Sequence, residues 1–246
     1  MTASATHDAR AAARHALPTA QHWQAAGLAP PVHLDDALVV MDKPAGLLSV
    51  PGRGPDKQDC LASRVQAVLP DALVVHRLDM ATSGLIVLAR GALAQRALSL
   101  AFARRDVFKR YEAVVHGLAE PPAQGWGTID LPLVTDWPRR PRQKVCFEHG
   151  KPSLTRYRVL AVDPASGTSR VELEPLTGRS HQLRVHLTAL GHPIVGDALY
   201  VVPSLAPSSA PRPAAPPARM CLHATRLGLP HPVQGQWLEW TCAASF

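Results

Sequence analysis

Apolar and polar positions along the chain fall into short runs of strand length separated by turn chemistry, with three stretches of helical period between them. Ala37 to Met41 is a continuous apolar run that predicts a buried strand, and Asp42-Lys43-Pro44-Ala45-Gly46 after it has the Pro-then-Gly signature of a turn. Leu61, Val65 and Leu69 recur at i, i+4 and i+8, predicting an amphipathic helix. Ala72 to Val75 and Leu85 to Ala89 are again of strand length, and they flank a charged, hydroxyl-rich insert, His76-Arg77-Leu78-Asp79-Met80-Ala81-Thr82-Ser83-Gly84. Ala92 to Arg104 reads as a second helix with Leu93, Ala97, Leu100 and Ala101 on its apolar side. Arg110 to Gly117 is strand-like. Leu154 to Val162 and Ser169 to Glu174 pair around an Asp163-Pro-Ala-Ser-Gly167 turn, and a third helix runs from about Ser180 to Ala189, closed by Gly191.

Two stretches lie outside this pattern. Residues 1–33 are Ala-rich and lack a sustained apolar face, which predicts a flexible tail with at most a turn of helix from Gln21 to Ala26. Residues 203–217 hold six prolines among Ala and Ser and predict a flexible, extended insert. The remainder, residues 34–246, reads as one domain.

Composition narrows the class. A chain of 246 residues with 46% hydrophobic content can bury a sizeable core. Its formal charge of +7 suits a polyanionic partner. Cys60, Cys146, Cys221 and Cys242 stand far apart with no Cys-x-x-Cys pair, so neither a structural zinc site nor a disulfide framework is expected, and the reducing cytoplasm is the expected compartment. No apolar run reaches the length of a membrane span or a signal peptide. His181 and His186 are five residues apart, about 500° around a helix, and no Glu accompanies them at zinc-protease spacing, so no metal is expected there.

The charged insert is where chemistry is to be sought. In extended backbone Arg77 and Asp79 share a face, so one reading is a local ion pair beside a Thr-Ser-Gly turn. The other is a carboxylate held at the floor of a cleft, where it needs a charge partner or several donors. Local sequence leaves both open.

The run His-Arg-Leu-Asp-x-x-Thr-Ser-Gly-Leu resembles the central motif of the RluA family of pseudouridine synthases. Four further stretches resemble that family: Asp42-Lys43-Pro44-Ala45-Gly46, Lys109-x-Tyr111, Gly178-Arg179-Ser180-His181-Gln182-Leu183-Arg184-Val185-His186 continuing to Gly196-Asp197 and Tyr200, and the closing strands from Cys221 to Trp240. Residues 131–152, with Arg139, Arg142 and Lys144 beside Trp137, are similar to the dual-specificity subgroup, which acts on a 23S rRNA hairpin and on tRNA anticodon stem-loops. Read without that likeness, the same stretch is a solvated basic loop.

The resemblance implies an α+β domain, a long, bent, mainly antiparallel sheet with flanking helices and a central cleft; many relatives begin with an S4 domain, and the residues before the first strand are too few for one to be expected here. It implies RNA as partner, no obligate protein partner, a monomer and no cofactor, because the reaction is an isomerisation. Asp79 would be the catalytic carboxylate, kept ionised by Arg184, since burial alone neutralises a carboxylate and a guanidinium favours its charged form. Tyr111 would lie against the flipped uracil and Leu183 would wall the pocket. Arg77 would enter the RNA stack, with His76, Lys43, Arg139, Arg142, Lys144, Arg179 and His181 as further RNA contacts. The competing function is a non-catalytic RNA-binding or ribosome-assembly factor on the same fold, which would be expected to have lost the carboxylate.

Overall fold

The computed structural model describes residues 17–200 and 219–246; the Pro-rich insert and the first half of the Ala-rich tail lie outside the described residues. Helix α1 (Ala20–Ala25) is followed by β1 (His33–Leu34), β2 (Leu38–Lys43), α2 (Leu61–Val68), β3 (Ala72–Val74) and β4 (Ser83–Arg90). Then come α3 (Gly91–Arg104), β5 (Phe108–His116), β6 (Gly127–Asp130), β7 (Leu133–Thr135) and β8 (Gln143–Val145). The chain closes with β9 (Leu154–Asp163), β10 (Thr168–Pro175), α4 (Gln182–Ala189), β11 (Leu222–Pro230) and β12 (Trp237–Thr241).

Ten strands form one sheet in the order β1-β2-β4-β11-β5-β10-β9-β6, with β3 beside β4 and β12 beside β11. Every pairing is antiparallel except that of β4 with β11. Strands β7 and β8 form a separate two-stranded hairpin. The α+β architecture expected from the resemblance is thus what the chain adopts.

Strand β4 explains why this half of the sheet is covered on both faces. Its alternate residues Ile86 and Leu88 join Leu61, Ala62 and Val65 of α2, while Leu85, Val87 and Ala89 join Ala94, Leu98 and Ala101 of α3. A strand buried on both sides reads as a continuous apolar run, because neither set of side chains meets water. Gly84 sits where β4 runs parallel to β11, opposite Ala224. With φ +108° and a would-be Cβ only 2.4 Å from the Ala224 carbonyl oxygen, the position requires glycine.

Two expectations are corrected. The buried side of α3 is Ala94, Leu98 and Ala101, whereas Leu93 is 88% and Leu100 45% exposed. The helix starts at Gly91 immediately after β4, so the connection sets its rotation, and the i, i+4, i+7 set nearest the sheet is buried whatever its neighbours' hydropathy. The tail is also not wholly outside the core. Trp23 of α1 is 1% exposed among Leu61 and Val65, and the Arg64 guanidinium donates to the Gly27 carbonyl at 3.0 Å. One large side chain anchors this segment, which a search for a periodic apolar stripe does not detect.

Candidate active site

The central insert is a loop rather than a strand, crossing from β3 to β4 over residues 75–82. It is held by the segment after β2. The Ser49 hydroxyl donates to the Leu78 carbonyl at 2.7 Å and accepts from the Leu78 amide at 3.0 Å. The Lys43 ammonium donates to the carbonyls of Pro44, Leu47 and Met80, at 2.8, 2.7 and 3.1 Å, and the Gly46 amide also donates to Met80. Asp79 lies between these two clamped residues, and its own carbonyl accepts from the Thr82 amide.

Lys43 is therefore corrected from the RNA contact expected of it. It is wholly buried, with all three ammonium hydrogens directed to backbone carbonyls. Burial lowers its pKa to about 8, against the opposing charges of Asp79 and Asp42. His76 is half-buried at the wall of the cleft and is held there by two scaffold contacts. Its Nε2 accepts from the Val87 amide of β4 at 3.0 Å, and its ring stacks on Phe102 with centroids 4.4 Å apart. Burial, then the charge of Lys109, pushes its pKa down to about 3, so it is a neutral acceptor at neutral pH.

Asp79 and Arg184 meet across the cleft, with the Arg184 Nη1 donating to Asp79 Oδ2 at 3.3 Å. Arg184 comes from α4 and is itself gripped by Asp197, through Nε at 2.7 Å and Nη2 at 2.8 Å. Burial disfavours the guanidinium, yet the bonds to Asp197 and the charge of Asp79 outweigh it and raise the Arg184 pKa. The local Arg77–Asp79 pair does not form. Arg77 is exposed at the rim and donates to the Ser180 hydroxyl at 3.1 Å.

Tyr111 lies in β5 opposite Ala224 on one neighbour and Leu173 on the other, facing the same space. Burial and then the Asp79 charge push its pKa upward, so its hydroxyl stays protonated. Leu183 is buried beside it in the cluster that includes Leu173 and Leu222. Together with Arg77, Asp79, Arg179, His181 and Arg184, these two residues line a cleft of about 940 Å³.

His181, the residue before α4, has φ +54° and places its Nε2 3.9 Å from Asp79 Oδ2. Arg179 is exposed two residues earlier, with Nε donating to the Pro152 carbonyl at 3.3 Å. The β7–β8 hairpin carries the remaining basic residues. Lys144 is exposed, Arg142 lies over the Tyr200 ring at 5.3 Å, and Arg139 is exposed but ion-paired with buried Asp136 at 2.7 Å. Trp137 at its tip is 65% exposed and stacked by Arg140 at 4.4 Å.

His181 and His186 have separate partners, as does the nearby His192: His181 bonds Tyr200, His186 bonds Thr155 and Leu131, and His192 bonds the His116 carbonyl. Asp42, His223 and Cys242 do bring potential ligand atoms within 4.8 Å of one another, away from the Asp79 cleft. Burial, then Asp42, pushes the Cys242 thiol up to about 11, so this sulfur is protonated at neutral pH and suits hydrogen bonding to Asp42 better than ligation.

Residues 37–189 match the family model described as RNA pseudouridylate synthase. The chain is 48% identical to the dual-specificity RNA pseudouridine synthase RluA of Pasteurella multocida over 215 residues, 87% of this chain and 93% of the relative. The chain belongs to the RluA family of RNA pseudouridylate synthases. RluA of Escherichia coli strain K12 is 47% identical over the same coverage. Among solved structures, human RNA pseudouridylate synthase domain containing 1 aligns with a TM-score of 0.69 at 30% identity, covering 88% of this chain and 83% of that one. Human domain containing 4 aligns at 0.68 and 25% identity, over 92% and 90%.

Within this RluA-family site, sequence reading left Ser49, Asp197 and Tyr200 without roles. Asp197 had a signal, a lone carboxylate in an apolar surround that must find a cation. Ser49 had none and Tyr200 only its place in the family-like run, since each acts on a residue distant in sequence.

Proposed function

We propose that this chain is an RNA pseudouridine synthase that isomerises uridines in structured RNA loops, with a 23S rRNA hairpin and a tRNA anticodon stem-loop as its substrates. The observation that carries the reading is the Asp79–Arg184 pair at the floor of a cleft flanked by Tyr111 and Leu183. Breaking the C1′–N1 bond of uridine and rejoining the base through C5 requires a carboxylate next to the ribose of a nucleotide extruded from its stack. An arginine partner orients that carboxylate through a charge-assisted hydrogen bond. The apolar face of Leu183 and the ring of Tyr111 offer a slot for the uracil, in which the protonated Tyr111 hydroxyl can hold the base by a hydrogen bond. Exposed Arg77 is suited to fill the gap in the stack.

Recognition by shape fits the same surface. Sequence-selective RNA readers favour loops whose bases splay out. The β7–β8 hairpin presents Arg142 and Lys144 for phosphates and Trp137 for stacking. The dual specificity in the relatives' names, together with the likeness of residues 131–152 to that subgroup, supports two RNA classes rather than one.

The test is release of tritium from RNA labelled at uridine C5, with 23S rRNA hairpins and tRNA anticodon stem-loops offered separately. Wild type should release tritium from both, and Asp79→Asn from neither while still binding. Binding by wild type without release on any RNA would favour a non-catalytic RNA-binding or assembly factor.

A further inference from the structure

Tyr200 is 3% exposed and joins three parts of the molecule. Its hydroxyl oxygen accepts from the Gln143 amide of β8 at 2.8 Å and lies 2.7 Å from His181 Nδ1. Its ring is covered by Arg142 of the hairpin at 5.3 Å and by Arg184 at 5.0 Å. Its own amide, with that of Leu199, donates to the Asp197 carboxylate that grips Arg184.

The donors and acceptors here decide a tautomer. The Gln143 amide can only donate, so it occupies an acceptor site on the Tyr200 oxygen. Among the described residues His181 Nδ1 is the one acceptor within hydrogen-bond distance of this hydroxyl, so the Tyr200 hydrogen is directed there and Nδ1 is unprotonated. A neutral His181 carries its proton on Nε2, the nitrogen 3.9 Å from Asp79 Oδ2. His181 has a positive φ, uncommon for a residue with a Cβ, and its ring lies between these two partners.

We propose that Tyr200 is a positioning residue: its hydroxyl holds His181 in the neutral Nε2–H form facing Asp79, and ties that form to the seating of the basic hairpin. The charged groups around the imidazole are Asp79 and Arg77 from the central loop, Arg184 from α4, Asp197 after it and, beyond the Tyr200 ring, Arg142 from the hairpin. Burial lowers the His181 pKa, with Arg184 and Arg77 in the same direction and Asp79 and Asp197 opposing. An imidazolium would tie Asp79, already paired with Arg184, into a second ion pair that the ribose would have to displace, and would leave the Tyr200 hydrogen without an acceptor. The catalytic consequence rests on the proposed role of Asp79; the tautomer does not.

Two measurements separate them. Nitrogen-15 NMR of histidine-labelled wild type, with His181→Gln to assign the signal, should show the Nε2–H tautomer at pH 7.5; an Nδ1–H tautomer overturns the proposal whether or not the protein isomerises uridine. In Tyr200→Phe the His181 titration should move up by about one pH unit. The acidic limb of the single-turnover tritium-release profile should move with it. RNA affinity should stay within about threefold, placing the effect in the catalytic step. His181→Gln in the Tyr200→Phe background should abolish the displacement of the limb. A uniform fall in rate without displacement, or a loss confined to RNA affinity, overturns the positioning role.

Discussion

Arg184 meets Asp197 with two nitrogens, at 2.7 and 2.8 Å, and has one left for Asp79 at 3.3 Å. The side chains of Arg184 and Asp197 are 5% and 1% exposed, so this is an ion pair with little water to replace either partner.

Asp197→Asn should therefore act on both stability and chemistry. Breaking a buried pair by neutralising one member costs about 3 kcal/mol or more, read as a lowered urea midpoint at constant m-value. The freed guanidinium should re-pair with Asp79 in an altered geometry, lowering tritium release on the order of a hundredfold with little change in RNA affinity. Wild-type stability and turnover would show that Asp197 is dispensable.

Lys43→Met tests whether this lysine belongs to the scaffold. Orphaning the carbonyls of Pro44, Leu47 and Met80 should cost about 3 kcal/mol in urea unfolding. Its RNA binding should keep the wild-type salt dependence, because no phosphate contact is lost. A shallower slope of log K against log salt would restore Lys43 to the RNA surface.

The hairpin should behave in the opposite way. Arg142→Glu with Lys144→Glu should weaken RNA binding and reduce the salt slope by roughly 1 to 2, leaving urea stability near wild type. Unchanged binding would remove the hairpin from the interface.

His76 predicts an acid-sensitive stability. Its pKa is about 3 in the folded protein against 6.5 for the free side chain, so the unfolded chain binds more protons between those values. Its contribution is complete above about pH 6.5 and is lost as pH falls toward 3. In His76→Gln, whose amide oxygen can still accept from Val87, the loss of stability between pH 7 and 4.5 should be smaller than in wild type. Equal losses in urea titrations at the two pH values would place the acid sensitivity elsewhere.

Much of this molecule was legible before folding. The strand runs at Ala37 to Met41 and Leu85 to Ala89, the helix at Leu61 and the β9–β10 pair all follow from apolar period and turn chemistry, because burial of a face is written into neighbouring residues. The loop carrying Asp79 was recognisable because many specified positions stand in one run. The buried face of α3 was not legible, since Ala94 and Leu98 win their place through the direct β4-to-α3 connection and not through being the most apolar candidates. Nor was the burial of Lys43, whose turn sequence suits solvent equally well.

The sequence by itself determined the element types, the family and the residues that carry charge at the cleft. Only the tertiary structure decided which of those charges meet. Arg184 lies 105 positions from Asp79, Ser49 lies 29 from Leu78, and Tyr200 lies 57 from Gln143. Hydrogen bonds and ion pairs act over about 3 Å, so chain spacing is silent about them until the sheet has brought its distant strands side by side.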